Sequence, residues 1–250
     1  MMLVDSHIHL YEYSDEVIDK LCRNSNYLYL AVSDDYESSL RTLSLASRCS
    51  NVIPAIGIHP WEINEVSTDE LEKVLALTSE VKILGEIGLD KKFVPHTFNK
   101  QLEIFKKFID IAKDLNLGLS IHAAGAWREV IDLISRNDIR YAIIHWYTGP
   151  TDLLKDIESL GYFIGVNAAI KIQRKMRSIV EKAPLEIMLT ESDGPYEYRG
   201  LRLDPSLIPE ALSIIADIKE VDVDYVREVI FKNMTKFLVG VGIRIEASDE

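Results

Sequence analysis

The residues best equipped for chemistry in this chain are its histidines and a few acids placed beside short apolar runs. His7 and His9 form a His-x-His pair in the run Leu3 to Leu10. His59 follows Val52 to Ile58, His122 closes Leu119 to His122, and His145 closes Tyr141 to His145. Glu86 ends Val81 to Ile87, and Asp193 follows Glu186 to Thr190. In an extended strand, residues two apart share a face about 6.6 Å apart, so His7 and His9 can grip one ion. Imidazole and carboxylate donors without a thiolate favour Zn²⁺, Mn²⁺ or Mg²⁺ over copper(I) or an iron–sulfur cluster. The six donors His7, His9, Glu86, His122, His145 and Asp193 are too many for one tetrahedral ion. They suit two divalent ions bridged by a carboxylate, with Glu86 the natural bridge. Such ions lower the pKa of bound water from about 15.7 toward about 7 and neutralise charge on a phosphoryl oxygen. Asp193 is the candidate acceptor of that water's proton.

Other residues near these runs take supporting roles. His59, followed by Pro60 and Trp61, reads as a substrate contact, a ligand or a loop anchor, and His96 reads as surface. Asp5 is expected either behind the His7 imidazole or at the end of a hydrogen-bond network beneath it. Glu191 is expected to orient a ligand or to cap nearby backbone. Trp61, Trp146 and Tyr147 adjoin the histidines and either stack bases or pack in the core.

These residues span nearly two hundred positions, so the fold must gather them. Eight apolar runs, including Tyr27 to Val32 and Tyr162 to Val166, alternate with helix-period segments. Helices are expected around Ser14 to Cys22, Tyr36 to Cys49, Ser206 to Ile218 and Val223 to Val239. Another begins at Ser67, where Ser67 and Glu70 make a capping box. The clearest has Phe98, Leu102, Phe105, Ile109, Ala112 and Leu115 on one face, with Gly118 expected beyond its C-terminus. Thr151 is expected to cap a further helix. The alternation predicts an α/β fold, a (β/α)8 TIM barrel formed as one domain over residues 1–250, whose strand C-termini open onto one face. An open doubly wound sheet is the alternative, but neither a GxGxxG nor a GxxxxGK[ST] turn is present.

Composition narrows the function. The chain has 250 residues, of which 47% are hydrophobic and 27% charged, as in an ordinary globular protein. With 28 Lys and Arg against 40 Asp and Glu, the net charge of −12 excludes a generally basic nucleic-acid coat. A local cationic rim remains open, from Lys91, Lys92, Lys171, Arg174, Lys175, Arg177, Arg199 and Arg202. No apolar run is long enough for a membrane span, and no signal-peptide core precedes Asp5. Cys22 and Cys49 read as reduced thiols of a cytoplasmic protein, with a lone disulfide between them as the alternative.

At this point a family resemblance is visible. Asp5-Ser-His7-Ile-His9, Gly57-Ile-His59-Pro60, Gly85-Glu86-Ile-Gly88-Leu-Asp90, Ile121-His122, His145-Trp-Tyr-Thr-Gly149 and Glu191-Ser-Asp193-Gly-Pro195-Tyr196 resemble, in order, the motifs of TatD-type metal-dependent hydrolases. These are TIM-barrel enzymes of the amidohydrolase superfamily. Gln101, Arg199-Gly200 and Asn233 also fall where that family places such residues. The resemblance implies that His7, His9 and Asp193 bind one metal, that His122 and His145 bind the other, and that Glu86 bridges them. It implies metal-dependent hydrolysis of DNA, often from the 3′ end. His59, Trp146 and Arg199 are the residues expected toward the substrate. The chain departs from the family in having Ala123-Ala124 after His122, where Ser-Arg is usual, and Trp146-Tyr147-Thr148-Gly149 where Cys-Phe-Ser-Gly is usual. Two alternatives therefore stand beside the nuclease: a hydrolase of a small phosphate ester, amide or lactone, and a non-catalytic metal-bound scaffold.

Overall fold

The computed structural model describes residues 1–244, so residues 245–250 of the expected domain lie outside the description. Eight strands, β1 (Leu3–Ile8), β2 (Tyr27–Ala31), β3 (Val52–Ile56), β4 (Ile83–Gly88), β5 (Gly118–His122), β6 (Ala142–Ile144), β7 (Phe163–Val166) and β8 (Met188–Thr190), lie side by side in chain order. Every neighbouring pair in that order is parallel. Parallel neighbours need crossovers. These carry the helices α1 (Asp15–Cys22), α2 (Tyr36–Arg48), α3 (Thr68–Leu77), α4 (Phe98–Leu115), α5 (Trp127–Arg136), α6 (Leu154–Ser159) and α7 (Arg174–Lys182), with α8 (Ile208–Lys219) and α9 (Val223–Gly240) after the last strand. Strands covered on both faces read as continuous apolar runs rather than alternating ones, which is why the runs were legible. The arrangement is the expected single (β/α)8 barrel.

The seam between β8 and β1 is closed by individual hydrogen bonds rather than by a continuous ladder. Thr190 donates its hydroxyl to Val4 O (2.6 Å), and just beyond the strands Asp193 N donates to His7 O (2.9 Å) and His9 N to Gly194 O (2.9 Å). Asn233 on α9 donates to both Leu185 O and Met188 O, fixing the start of β8 from outside. A small antiparallel hairpin, β9 (Glu197–Tyr198) with β10 (Leu201–Arg202), follows β8 and was not anticipated.

Several local expectations are corrected. Gly118 starts β5, and the left-handed residue that ends α4 is Asn116, φ 52°. Leu115 drops off the buried face to 50% exposure, while Gln101, Ile104 and Phe108 join it. Thr151 does not cap a helix with its side chain. It opens a 3-10 turn after extended Pro150, and α6 begins only at Leu154. Ser67 does cap α3, accepting from Glu70 N at 3.1 Å. Cys22 and Cys49 are joined as a disulfide, which overturns their reading as reduced thiols and removes the cysteine argument for a cytoplasmic location. The crossovers bring the last residue of α1 beside the residue after α2, placing Cα atoms 5.1 Å apart across 27 residues of sequence. No helix among the described residues is long and apolar enough to cross a membrane.

Candidate metal centre

The C-terminal strand ends converge as the pattern predicted. His7 lies on β1 and His9 just past it, Glu86 on β4, His122 at the end of β5, His145 just past β6 and Asp193 three residues past β8. Glu86 is the hub. Its Oε2 lies 3.1 Å from His7 Nε2 and 3.5 Å from His9 Nε2, while its Oε1 lies 2.9 Å from His122 Nδ1 and 3.4 Å from His59 Nε2. Each carboxylate oxygen thus faces a different pair of rings. Asp193 Oδ1 sits 3.5 to 3.7 Å from the Nε2 atoms of His7, His9 and His145. A left-handed backbone at Asp193, φ 54°, turns that carboxylate back over the barrel axis.

Behind the rings stands a second set of side chains. His145 Nδ1 lies 3.1 Å from Glu191 Oε1, His122 Nε2 lies 3.0 Å from Asp90 Oδ2, and His9 Nδ1 lies 3.4 Å from Asp34 Oδ1. His7 Nδ1 instead meets Ser120 Oγ at 3.1 Å. Asp5 does not reach an imidazole. Its Oδ1 accepts from the backbone N–H of His7 (3.4 Å) and Ser192 (2.7 Å), tying the two sides of the seam together. Burial pushes the Asp5 carboxyl up to about 8. Glu191, just past the end of β8, also accepts from Trp146 N (2.9 Å) and Asn167 Nδ2 (3.2 Å). It fits only because β7 has Gly165 beneath it, where a Cβ would stand 1.7 Å from Glu191 Oε2. Gly57 likewise admits β4, since a Cβ there would meet Glu86 O at 2.6 Å.

Electrostatics tie the groups into one charge system. Burial alone would push the Glu86 carboxyl up, but His59, His7 and the hydrogen bond with His122 hold it well below the usual carboxylate range. Burial is likewise overcome at Asp34 by His9 and at Asp90 chiefly by the His122 hydrogen bond, each reaching about 2. Among the rings, burial would lower His145, yet Glu191 and Asp193 lift it to about 10; Asp34 and Asp193 raise His9 against the same penalty. His7 goes the other way, lowered by burial and by its stacked neighbour His145 at 3.7 Å between ring centroids. Buried carboxylates here require positive charge among the rings. A divalent cation held by these residues would supply it in place of the ring protons.

The donors fit such a cation. His7, His145 and Asp193, and separately His7, His9 and Glu86, and His59, Glu86 and His122, each offer ligand atoms mutually within 4.8 Å. All are nitrogen or oxygen, the set for Zn²⁺, Mn²⁺ or Mg²⁺. A further group, His9, Glu12 and Asp34, lies at the same mouth.

A family profile described as TatD related DNase matches residues 4–239. The chain belongs to the TatD-related family of metal-dependent hydrolases. An uncharacterized metal-dependent hydrolase of Methanocaldococcus jannaschii is 32% identical, covering 94% of this chain and 96% of that one. A Mus musculus relative with a provisional deoxyribonuclease name is 26% identical, over 92% of this chain and 86% of its own. In solved structures, a TatD homologue from Escherichia coli K12 shares the fold with TM-score 0.84 at 23% identity, covering 94% and 97% of the two chains.

The remaining expected TatD site residues fall in different places. His59 joins the donor cluster rather than standing apart at the mouth, 3.2 Å from His122 Nδ1 through Nε2. Trp146 lines the cleft above the centre, and Arg199 stands outside that lining, exposed on the β9–β10 turn with its guanidinium 5.4 Å over the Tyr198 ring. Tyr147 is core, its hydroxyl bound to Pro150 O. His96 is exposed on a 3-10 turn. Gln101 grips the β4–α4 loop through Asp90 N (2.7 Å), Asp90 O and Val94 O. Sequence reasoning missed Asp34 and left Asp90 inside a motif without a role. Both follow apolar runs as the histidines do, and that shared position was the available signal. Asn167, directly after the run Tyr162 to Val166, shared it, whereas Ser120 and Gln173 carried none.

Proposed function

We propose that this chain is a two-metal phosphodiesterase that hydrolyses DNA from the 3′ end of a single strand. The observation that carries this reading is the division of Glu86 between two imidazole pairs, with Asp193 facing the His7 side. His7, His9 and Asp193 would hold one ion and His122 a second, with Glu86 shared and His59 beside His122; His145, expected with His122, stands instead on the Asp193 side, stacked on His7. Divalent ions there would supply a water of lowered pKa, about 7, and neutralise charge on a phosphoryl oxygen. Asp193, in reach of three rings through Oδ1, has its other oxygen to accept the water's proton. Glu191, Asp90 and Asp34 hold the rings His145, His122 and His9 from behind, and Asp5 holds the backbone that carries His7. The deoxyribonuclease name of the mouse relative supports the choice of DNA.

The test is release of nucleotides from 3′-labelled single-stranded DNA with Mg²⁺, Mn²⁺ or Zn²⁺, run beside His122→Ala. Metal-dependent release that is lost in the variant supports the reading. Turnover of small esters, amides or lactones with intact DNA would move the function to a small-molecule hydrolase, a reading favoured by Ala123 and Ala124 in the cleft. Metal uptake without turnover on either substrate would leave a scaffold.

A further inference from the structure

The cleft above the donor centre is narrow and unevenly furnished. Its volume is about 380 Å³, near the lower end of the ~300–1,000 Å³ usual for small-ligand clefts. Two aromatic walls flank it. On the β3–β4 side, Trp61 stands edge-on to Phe93 (centroids 5.7 Å apart) and is fixed by donating Nε1–H to Asp90 Oδ2 at 2.7 Å. On the β6–β8 side, Trp146 packs edge-on against Tyr198 at 5.2 Å and Tyr196 at 6.0 Å. In barrel order these walls lie on either side of β5. Trp61 is 6.3 Å from the His122 ring and Trp146 is 6.1 Å from the His145 ring. Ala123 and Ala124, small and uncharged, line the cleft with them.

The second wall is held by Gln173, between β7 and α7. Trp146 donates Nε1–H to Gln173 Oε1 at 2.8 Å, and Gln173 donates Nε2–H to the Tyr198 hydroxyl at 3.2 Å. One amide thus links the β6 loop to the β9–β10 hairpin. Trp146 adopts a left-handed backbone, φ 42°, as it leaves the strand beside His145.

Charge at the mouth tells against a long polyanion. Lys92 is the one cationic side chain among the residues lining the cleft, whereas Glu12, Glu62 and Glu197 also line it, outside the donor centre. The other basic residues expected at the rim do not line it. Lys91 is paired with Glu129, Lys171 with Glu210 at 2.8 Å, and Arg177 with Glu181 at 3.8 Å, while Arg174, Lys175, Arg199 and Arg202 are exposed outside the lining. A strand tracked over many phosphates needs a row of free cations. The cleft lining offers one lysine, flat aromatic faces and surrounding carboxylates.

Resting on the phosphodiesterase reading, we infer that the enzyme grips only one terminal nucleotide, base between the aromatic walls and one phosphate toward Lys92. It is therefore a hydrolase of single-strand ends whose efficiency is nearly independent of chain length. Gln173 is a positioning residue for that grip, acting through Trp146 and Tyr198.

The experiment compares single-stranded oligodeoxynucleotides of two, five and twenty nucleotides with the purified enzyme and Mn²⁺, at equal concentrations of 3′ ends. We expect kcat/KM to agree within about threefold across lengths. A plot of log kcat/KM against log salt should slope near −0.7, the value for one neutralised phosphate on a single strand. A twentymer favoured tenfold or more, or a slope of −2 or steeper, overturns the inference while leaving the phosphodiesterase standing. Absence of cleavage at every length overturns both. Gln173→Ala should raise KM several-fold at each length and change kcat by less than twofold; an unchanged KM, or a loss confined to kcat, removes Gln173 from the grip.

Discussion

The two ends of the barrel carry cavities of opposite character. The C-terminal mouth holds about 380 Å³ lined by rings and carboxylates, whereas the cavity at the N-terminal end is larger, about 760 Å³. That larger cavity lies among the C-terminal ends of α4, α5 and α6, against Lys113, Asn116, Asp138, Arg140 and Tyr162. It contains no histidine, and every cluster of three or more metal-capable side chains found among the described residues lies at the mouth. Volume is thus a poor guide to chemistry in this molecule. What distinguishes the mouth is convergence: parallel strands all deliver their C-terminal residues to one place, while the helix ends beneath deliver theirs to separate grooves.

That contrast is open to attack by mutation. The largest effect is expected from Glu86→Gln, which removes the charge shared by both ring pairs. Several kcal/mol of transition-state stabilisation depend on the ions it would hold, so kcat/KM should fall about 10³-fold or more. Steady-state kinetics on the labelled DNA check this, and a fall under tenfold would separate the centre from the activity. Next is Glu191→Gln, with Gly165→Ala as its steric counterpart, since the added methyl displaces the same carboxylate. Loss of a group that orients a ligand ring costs about 10–100-fold in metal affinity or activity. Titration calorimetry with Zn²⁺ measures it, and equal affinity in wild type and both variants would refute the role given to Glu191.

Metal removal should act on stability as well. Saturation at about 100 times Kd adds ~2.7 kcal/mol, or roughly 5–10 °C in Tm for a chain of this size. Scanning calorimetry with and without chelator reads the difference, and an unshifted Tm would mean that no ion binds the folded state preferentially. The smallest effect belongs to the other end. Arg140→Ala, on the exposed wall of the larger cavity, should change stability by no more than ~0.5 kcal/mol and leave kcat/KM as it was. A marked loss of activity there would break the contrast between the two ends.

The fold was legible because its signal is local and repeated. Buried parallel strands must be apolar throughout, so eight runs announced eight strands even where the boundaries moved, as at Met188 rather than Glu186. Much of the site was legible for a related reason: His7, Glu86, His122 and His145 end those runs or lie within a residue of the strand ends. The supporting shell was legible only at Glu191, expected to orient a ligand or cap backbone and found beside His145 and Trp146 N. Asp34 faces His9 across 25 residues, Asn167 reaches Glu191 across 24, and Gln173 reaches Trp146 across 27. Nothing in the spacing of an Asn or a Gln within a loop says which ring or carboxylate it will meet. The cationic rim, left open by the sequence, is thinned for the converse reason. Lys91, Lys171 and Arg177 are taken by Glu129, Glu210 and Glu181, and the first two of these pairings depend on how the crossovers pack.

By itself the sequence determined that eight strands would form and that imidazoles and carboxylates would stand at their ends, because hydrophobic burial and strand period act between near neighbours. Only the tertiary structure decided that Cys22 meets Cys49, that Glu191 backs His145 above Gly165, and that Lys92 alone among the lysines and arginines lines the cleft. Those outcomes are set by distances between separate crossovers. Such distances exist only once the barrel closes.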